Sequence, residues 1–396
     1  MKPNPLLIVT PKTYNGGAEN VAAKLSRHFD KKVDVTVATF DDSRTDYEYA
    51  GKLVVTDAPM SGSLPVRLKG VVKSTLGLRD VKKSLKPVAS ISLIGGPNIA
   101  NVFSRQGELC IVSVRTYMRR SPSKIKHFFQ KLLVRLVYNK ADKVVAICEG
   151  VKKDLVDYYH VNPEKVSVIY PYFDVDAIQK KSLEPVEAEW QHVFSGPVVI
   201  TAGRLTYDKG QWHLIKAFSE VKKKVPEASL VILGRGDMKD QLVELAKRTG
   251  YGQDIHFMGY CDNPFKYIRA ATVFAFPSLI EGFGNALGEA LACGTPAVAA
   301  DCDVGPREIL APERDPHAKA TGLERCKAGY LVPAFDGQCD LDVSTISEHE
   351  KLMAEALVKV LADQALRDEM SSHASKRALC FDVEAVSGKW DALLDK

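Results

Sequence analysis

Residues 281–296 read EGFGNALGEALACGTP. Glu281 opens the stretch and Glu289 continues it, with three glycines and an asparagine between them. Apolar VFAFPSLI (273–280) precedes it and apolar AVAA (297–300) follows. A strand therefore ends near Phe276 and Pro277, a helix covers 285–293, and the next strand starts at Pro296. In an open α/β sheet the loop after a strand's carboxyl end is where ligands sit. Gly282 and Gly284 let backbone approach a ligand closely. The unpaired amides of the helix start, near Gly284–Leu287, suit an anion such as a diphosphate. Glu281, in the loop, can accept hydrogen bonds from hydroxyls. Glu289, a turn into the helix, can hold a diol such as ribose if it faces the ligand. A lone glutamate is most simply a solvated charge. Here the glycines, the strand end and the anion-ready helix start have to be explained with it.

Outward from this unit, strand patterns alternate with helical ones along the whole chain. Strands are expected at 6–10, 33–39, 52–56, 89–94, 110–114, 143–147 and 166–170. A second series is expected at 197–202, 228–233, 254–258, 272–276, 296–300 and 329–332. Helical patterns lie between them, for example at 18–29, 210–224 and 237–248. This is the pattern of a parallel, helix-covered sheet, formed twice. The series breaks at YPYFDVD (170–176). The expected domains are 1–175 and 176–375, with a C-terminal helix over 376–396 that packs back on the first domain. A chain of 396 residues suits two cores better than one.

Two further loops carry ligand chemistry. VVITAGRLTYDKG (198–210) runs from a strand through Gly203 and Arg204 to Lys209, ahead of a helix. Arg204 as a fork and Lys209 as a point charge could clamp a diphosphate. TYNGGAEN (13–20) follows the first strand, and Gly16-Gly17 before a helix has the form of a phosphate-approach loop. It is neither a P-loop nor GxGxxG. The GRG at 234–236 lacks the third glycine and the acidic residue of a dinucleotide site.

Together GGAEN, GRLTYDKG, VILGRG, FMGY and EGFGNALGEALACGTPAVA resemble the retaining glycosyltransferases of family 4, which have the GT-B fold. The likeness covers nearly the whole chain and is strongest over 198–310. In the first half it rests on layout, on GGAEN and on YNKADKVVAICEGVKKDL (138–155). The resemblance implies an α/β protein of two Rossmann-like domains whose parallel sheets face each other across a cleft. The nucleotide-sugar donor, a UDP-sugar on this reading, would lie mainly on the second domain. Arg204 and Lys209 would hold its diphosphate and, with Glu281 on the sugar hydroxyls, form the catalytic set. Gly203, Phe283, Gly284, Asn285 and Ala286 would line sugar and phosphates. Glu289 would hold the ribose, and Arg235 and Tyr260 the base. Gly16 and Gly17 would close over the diphosphate. The family implies no metal and no cofactor, so cations and helix amides would stabilise the leaving diphosphate. DCD (301–303) has the letters of a metal motif but stands where the family uses none.

One position departs from the family. Many members have a histidine after the strand matching 110–114, and here IVSVRTY places Arg115 there. An arginine is no base at neutral pH. It could bind acceptor hydroxyls or an acceptor phosphate. The retaining route would then be the family's front-face one, in which the leaving phosphate oxygen takes the acceptor's proton.

The charge is uneven. Residues 1–175 hold 28 Lys/Arg against 16 Asp/Glu, and residues 176–396 hold 26 against 33. The first half therefore suits an anionic surface or acceptor. Within it, Ile125, Phe128, Phe129, Leu132, Leu133, Leu136 and Val137 recur at helical spacing, with Lys124, Lys131 and Arg135 opposite. The expectation is that this apolar stripe faces the core while the cations meet lipid headgroups or a lipid-diphosphate acceptor. No nucleic-acid module or aromatic platform is present in the sequence. Eight scattered cysteines without CxxC spacing point to reduced thiols rather than zinc. The absence of an export signal or spanning run points to a cytoplasmic protein, peripheral at the inner face of the cell membrane.

The expected function is transfer of a hexose or N-acetylhexosamine to a lipid-linked or growing glycan in bacterial envelope polysaccharide synthesis, a setting suggested by DCDVGPREILAP (301–312). The alternatives are the same chemistry on a soluble acceptor (glycogen, sucrose or a small metabolite) and a non-catalytic subunit that binds glycan or protein.

Overall fold

The computed structural model describes residues 5–14, 16–56, 64–118 and 124–394. The chain forms two compact units. The first runs through Pro171 and takes in the segment from Ser387 onward, and the second is Tyr172–Val386.

In the first unit the described strands are β1 (Leu6–Thr10), β2 (Val35–Thr39), β3 (Lys52–Val55), β4 (Ala89–Leu93), β5 (Leu109–Val114), β6 (Lys143–Ala146) and β7 (Val166–Val168). They pair in parallel in the order β3-β2-β1-β4-β5-β6-β7. Its helices are α1 (Gly17–Asp30), α2 (Leu64–Leu85), α3 (Gly95–Phe103), α4 (Lys124–Lys140) and α5 (Glu149–Lys153). β1, β2 and β4 are buried along their whole length, as parallel strands covered on both faces must be. α2 packs on α3 and α3 on α4, so these three form one layer.

In the second unit the strands are β8 (Val198–Ala202), β9 (Ser229–Leu233), β10 (Ile255–Gly259), β11 (Val273–Phe276), β12 (Ala297–Asp301), β13 (Glu324–Cys326) and β14 (Gly329–Pro333). Their order is β10-β9-β8-β11-β12-β14-β13, parallel except for the β13–β14 edge. The helices are α6 (Val175–Ser182), α7 (Gln211–Lys222), α8 (Lys239–Arg248), α9 (Phe265–Ala270), α10 (Asn285–Ala292), α11 (Pro306–Leu310), α12 (Glu348–Ala362), α13 (Gln364–Leu379) and α14 (Val383–Leu394), the last reaching into the first unit. The core gathers Trp212, Phe218, Leu230, Val298, Met353 and Leu357 under α7 and α12.

In both sheets the order in which the chain adds strands reverses beside the first strand, between β1 and β4 and between β8 and β11. There the loops leaving two adjacent strands part to opposite sides and open a crevice at the carboxyl ends.

Three expectations need correction. The helix over 376–396 is not continuous: α13 ends at Leu379 and α14 starts at Val383. The break is held because Phe381 is fully buried, Phe173 N–H donates to Phe381 O, and Val383 N–H donates back to Phe173 O. Beyond the break, Asp391 pairs with His28 of α1 and with Lys32 just after that helix. Of the apolar stripe of α4 only Val137 faces the core among the described side chains, and the side chain of Ile125 lies outside them. Val134, Val137 and Tyr138 are buried, while Phe128 and Phe129 are 65% and 63% exposed and Leu132, Leu133 and Leu136 are also exposed. A helical period marks a stripe but not which side of it carries the sheet. The third concerns 312–328, which has no strand in the expected series yet holds β13. Asp301 Oδ2 accepts from Arg307 Nη2 (2.7 Å) and from the Ala320 amide (2.7 Å). Arg314 pairs with Glu324, and Lys319 Nζ donates to Cys302 O at 2.8 Å. The DCD aspartate thus folds this stretch back along the sheet edge.

Candidate active site

The second unit's switch point is built by four loops that hold one another. Gly203 N–H donates to Leu233 O, Gly234 N–H to Gly259 O, and Leu205 N–H to Arg235 O. A side chain at Gly234 (φ +135°) would place Cβ 1.8 Å from Gly203 O, and one at Gly236 would meet Leu205 O at 2.2 Å. Only glycine lets the β8 and β9 loops lie this close. Gly210, at φ +61°, starts α7 with its Cα facing Pro277 O, where a Cβ would stand 2.4 Å away. The Asp208 carbonyl accepts from the amides of Leu279 and Ile280. The β8 and β11 loops are thereby locked together on either side of the switch.

Across that lock Lys209 Nζ donates to Glu281 Oε1 at 2.6 Å. The two side chains are 20% and 10% exposed. Two residues 72 apart in sequence therefore meet at the point where the sheet opens. Arg204 lies on the same loop, 74% exposed, 3.5 Å from Asp208 Oδ2. Its guanidinium is open to an incoming group, while its carbonyl accepts from Gln211 Nε2.

Gly284 (φ +101°) is the N-cap of α10 and packs on Phe276 and Ile309. The first-turn amides of α10, at Asn285 and Ala286, have no carbonyl within the helix to bond. Phe283 is buried and Asn285 exposed. Glu289 stands half-buried one turn further on. Burial, with the Glu289 carboxylate adding to it, pushes the Cys293 thiol up to about 12. Cys302 is pushed up likewise, by burial first and then by Glu281, so neither thiol is a nucleophile near neutral pH. On the other flank the Arg235 guanidinium lies over the Tyr260 ring, 5.6 Å from its centroid. Both side chains are exposed and offer a flat cationic and aromatic wall at the ends of β9 and β10.

Arg204, Lys209, Glu281, Arg235, Tyr260, Gly284, Asn285, Ala286 and Glu289 thus all stand at the carboxyl ends of β8–β11 or in the helix that follows. Along the strand order β10-β9-β8-β11 this set can bind a planar ring, then an anion, then hydroxyls. Among the described residues no group of three or more His, Cys, Asp or Glu is arranged to hold a metal ion.

The remaining sequence candidates lie in the first unit. Gly16 caps α1 after β1, and its amide donates to Tyr47 Oη at 3.3 Å. The Glu19 carboxylate fills the space where a Gly16 side chain would be. Burial raises Glu19 above the usual carboxylate range. Arg115 follows β5 and is 8% exposed. Ile94 stands at the carboxyl end of β4. It caps α3 at φ +61°, a region a β-branched residue enters at a cost of about 1–3 kcal/mol, beside this sheet's switch point. No sequence signal marks it, since only the fold sets the sign of φ there.

Comparison with known proteins agrees with this geometry. The model of the family Glycosyl transferases group 1 matches residues 187–323, and that of Glycosyltransferase Family 4 matches 15–177. An uncharacterized glycosyltransferase of Methanocaldococcus jannaschii is 33% identical over 67% of this chain and 66% of its own length. The N-acetylgalactosamine-N,N'-diacetylbacillosaminyl-diphospho-undecaprenol 4-alpha-N-acetylgalactosaminyltransferase of Campylobacter jejuni is 28% identical over 94% of both chains. Among solved structures, Anabaena HepE in complex with UDP superposes with a TM-score of 0.72 at 18% identity, over 99% of both chains. The paired switch-point sheets, the locked glycine loops and these matches together place the chain among the GT-B glycosyltransferases of family 4.

Proposed function

We propose that the chain transfers a hexose or N-acetylhexosamine from a UDP-sugar to a lipid-linked or growing glycan of a bacterial envelope polysaccharide. The transfer retains the anomeric configuration and uses no metal. The observation that carries the donor reading is the Lys209–Glu281 pair at the second unit's switch point, in the loop that leads into α10. Lys209 and Arg204 neutralise the diphosphate, and the α10 amides add a fixed positive end. Glu281 accepts from sugar hydroxyls and Glu289 from the ribose. Arg235 and Tyr260 stack on the base.

In the transfer step the bond from the sugar's anomeric carbon to the β-phosphate oxygen breaks. The acceptor oxygen bonds to that carbon on the same face, and its proton passes to the leaving phosphate oxygen. No side chain has to act as base, which accords with an arginine, no base at neutral pH, at Arg115 after β5. UDP in the HepE complex supports the uridine choice. The Campylobacter relative is named for a diphospho-undecaprenol-linked acceptor, and an acceptor of that class suits the basic first half of this chain and a place at a membrane surface.

Calorimetric titration with UDP, GDP and ADP tests the donor site. UDP is expected to bind, with the other two weaker. Proton NMR of the product in the presence of a chelator then reads the anomeric outcome and the metal independence. If none of the three nucleotides binds at millimolar concentration, the donor reading fails and a non-catalytic subunit takes its place.

A further inference from the structure

The layer α2–α3–α4 leaves large apolar side chains facing outward. On α4, Phe128, Phe129, Leu132, Leu133 and Leu136 are exposed. At about 100° per residue they fill an arc of roughly 140°. Exposed Arg135 lies beside one edge of that arc and exposed Lys140 within it. On α2, Val66, Val72 and Leu76 are exposed and interleaved with exposed Lys69, Lys73, Arg79 and Lys83. Phe103, at the end of α3, is exposed between the two helices.

Scattered exposed apolar residues are ordinary, but a large set on one layer flanked by mostly one sign of charge marks an interaction surface. We infer that this layer is a membrane-docking face, with the α4 arc inserted at the headgroup–acyl boundary of an anionic bilayer and the flanking cations on its headgroups. The inference rests on the proposed membrane-bound acceptor and adds the element that makes the contact. A second copy of the chain fits the face poorly. A two-fold contact would bring Lys69, Lys73, Lys83 and Arg135 of one copy against the same cations of the other, with Asp80 the exposed acid described on these α2 and α4 faces. An anionic bilayer supplies both hydrocarbon and negative charge.

Two changes separate insertion from simple attraction. Phe129→Trp, measured as the increment over the wild-type fluorescence, should shift to the blue on adding vesicles of phosphatidylcholine with about 30% phosphatidylglycerol. Lipids brominated on the acyl chain should quench it. Replacing Phe128, Phe129, Leu132 and Leu133 together by Ser should lower the vesicle partition coefficient at least tenfold while UDP affinity and melting temperature stay as in the wild type. Changing Lys69, Lys73 and Arg135 to Glu should do the same at about 0.1 M salt, and the difference should shrink at about 1 M. An unshifted, unquenched Trp, or a serine variant that binds vesicles as the wild type does, overturns the inference. So does a wild-type dimer that the serine variant dissolves, which would make the face a self-interface. Failure of UDP to bind strikes the donor reading alone and leaves the vesicle result standing.

Discussion

Lys209→Ala should weaken UDP binding by more than one lost hydrogen bond. A charge-assisted hydrogen bond contributes about 1.5–3 kcal/mol, and with the lysine one-fifth exposed the lower end, about 1.5 kcal/mol, applies. The change also bares Glu281, whose carboxylate now stands 2.6 Å from the ammonium and is 10% exposed. A carboxylate held about 5 Å from a phosphate, at an effective dielectric near 40, repels it by roughly 1.5 kcal/mol. Together these give about 3 kcal/mol, or roughly 150-fold in dissociation constant.

The second term is separable. Glu281→Gln in the Lys209→Ala background removes the repulsion without restoring the cation, and should recover roughly tenfold. Glu281→Gln alone should change UDP affinity little and lower the rate of transfer, because its role is on the sugar. Calorimetric titration of the four proteins closes the cycle. If the double variant binds UDP as weakly as Lys209→Ala, the pair is not what organises the diphosphate site. If Lys209→Ala binds like the wild type, the clamp itself is refuted.

Gly234→Ala pushes a Cβ to 1.8 Å from Gly203 O at φ +135°, so it should cost at least about 1–3 kcal/mol in thermal unfolding and lower UDP affinity together. Lys82 is fully buried and bonded to Glu108 at 2.6 Å and to Asn101 Oδ1 at 2.7 Å. Lys82→Met should therefore destabilise by about 3–5 kcal/mol in urea, and Glu108→Leu in the same chain should return most of it. Arg115→Ala should lower transfer to the acceptor at least tenfold, measured as product formed, while donor hydrolysis and UDP affinity hold. The Glu187 carboxyl is held down to about 2, first by its bond from Lys266 and then by Tyr267. Its folded value lies below the ordinary 4.5, so its contribution is whole above that pH and is lost as pH falls toward 2. The stability gap between wild type and Glu187→Gln should close over that window.

What the sequence carried was chiefly backbone necessity. Gly203 and Gly234 sit where strands end, Gly210 and Gly284 where helices begin, and the structure shows why no side chain fits at Gly234 or Gly210. Strand starts and ends were legible for the same reason, since buried parallel strands are short apolar runs bounded by such loops. The Lys209–Glu281 bond was not legible as a contact, because its partners come from strands adjacent in the sheet but far apart in the chain. Nor was the 312–328 segment, whose order rests on Arg307, Arg314 and Lys319 each bridging two acceptors rather than on any period.

The α4 stripe exposes a deeper limit of pattern reading. A run such as Phe128-Phe129-x-x-Leu132-Leu133-x-x-Leu136 has the same period whether it meets a sheet or a bilayer. Size breaks the symmetry only after the fold is known. The space over this sheet is filled by Val134, Val137 and Tyr138, and that leaves no room for two phenylalanines and three leucines on the same side. A sequence that needed α4 only for its core would have no reason to keep its larger apolar residues on the opposite face. Their presence there, with Arg135 at one edge and Lys140 among them, sets a second apolar environment as a condition on this helix, one that water does not meet.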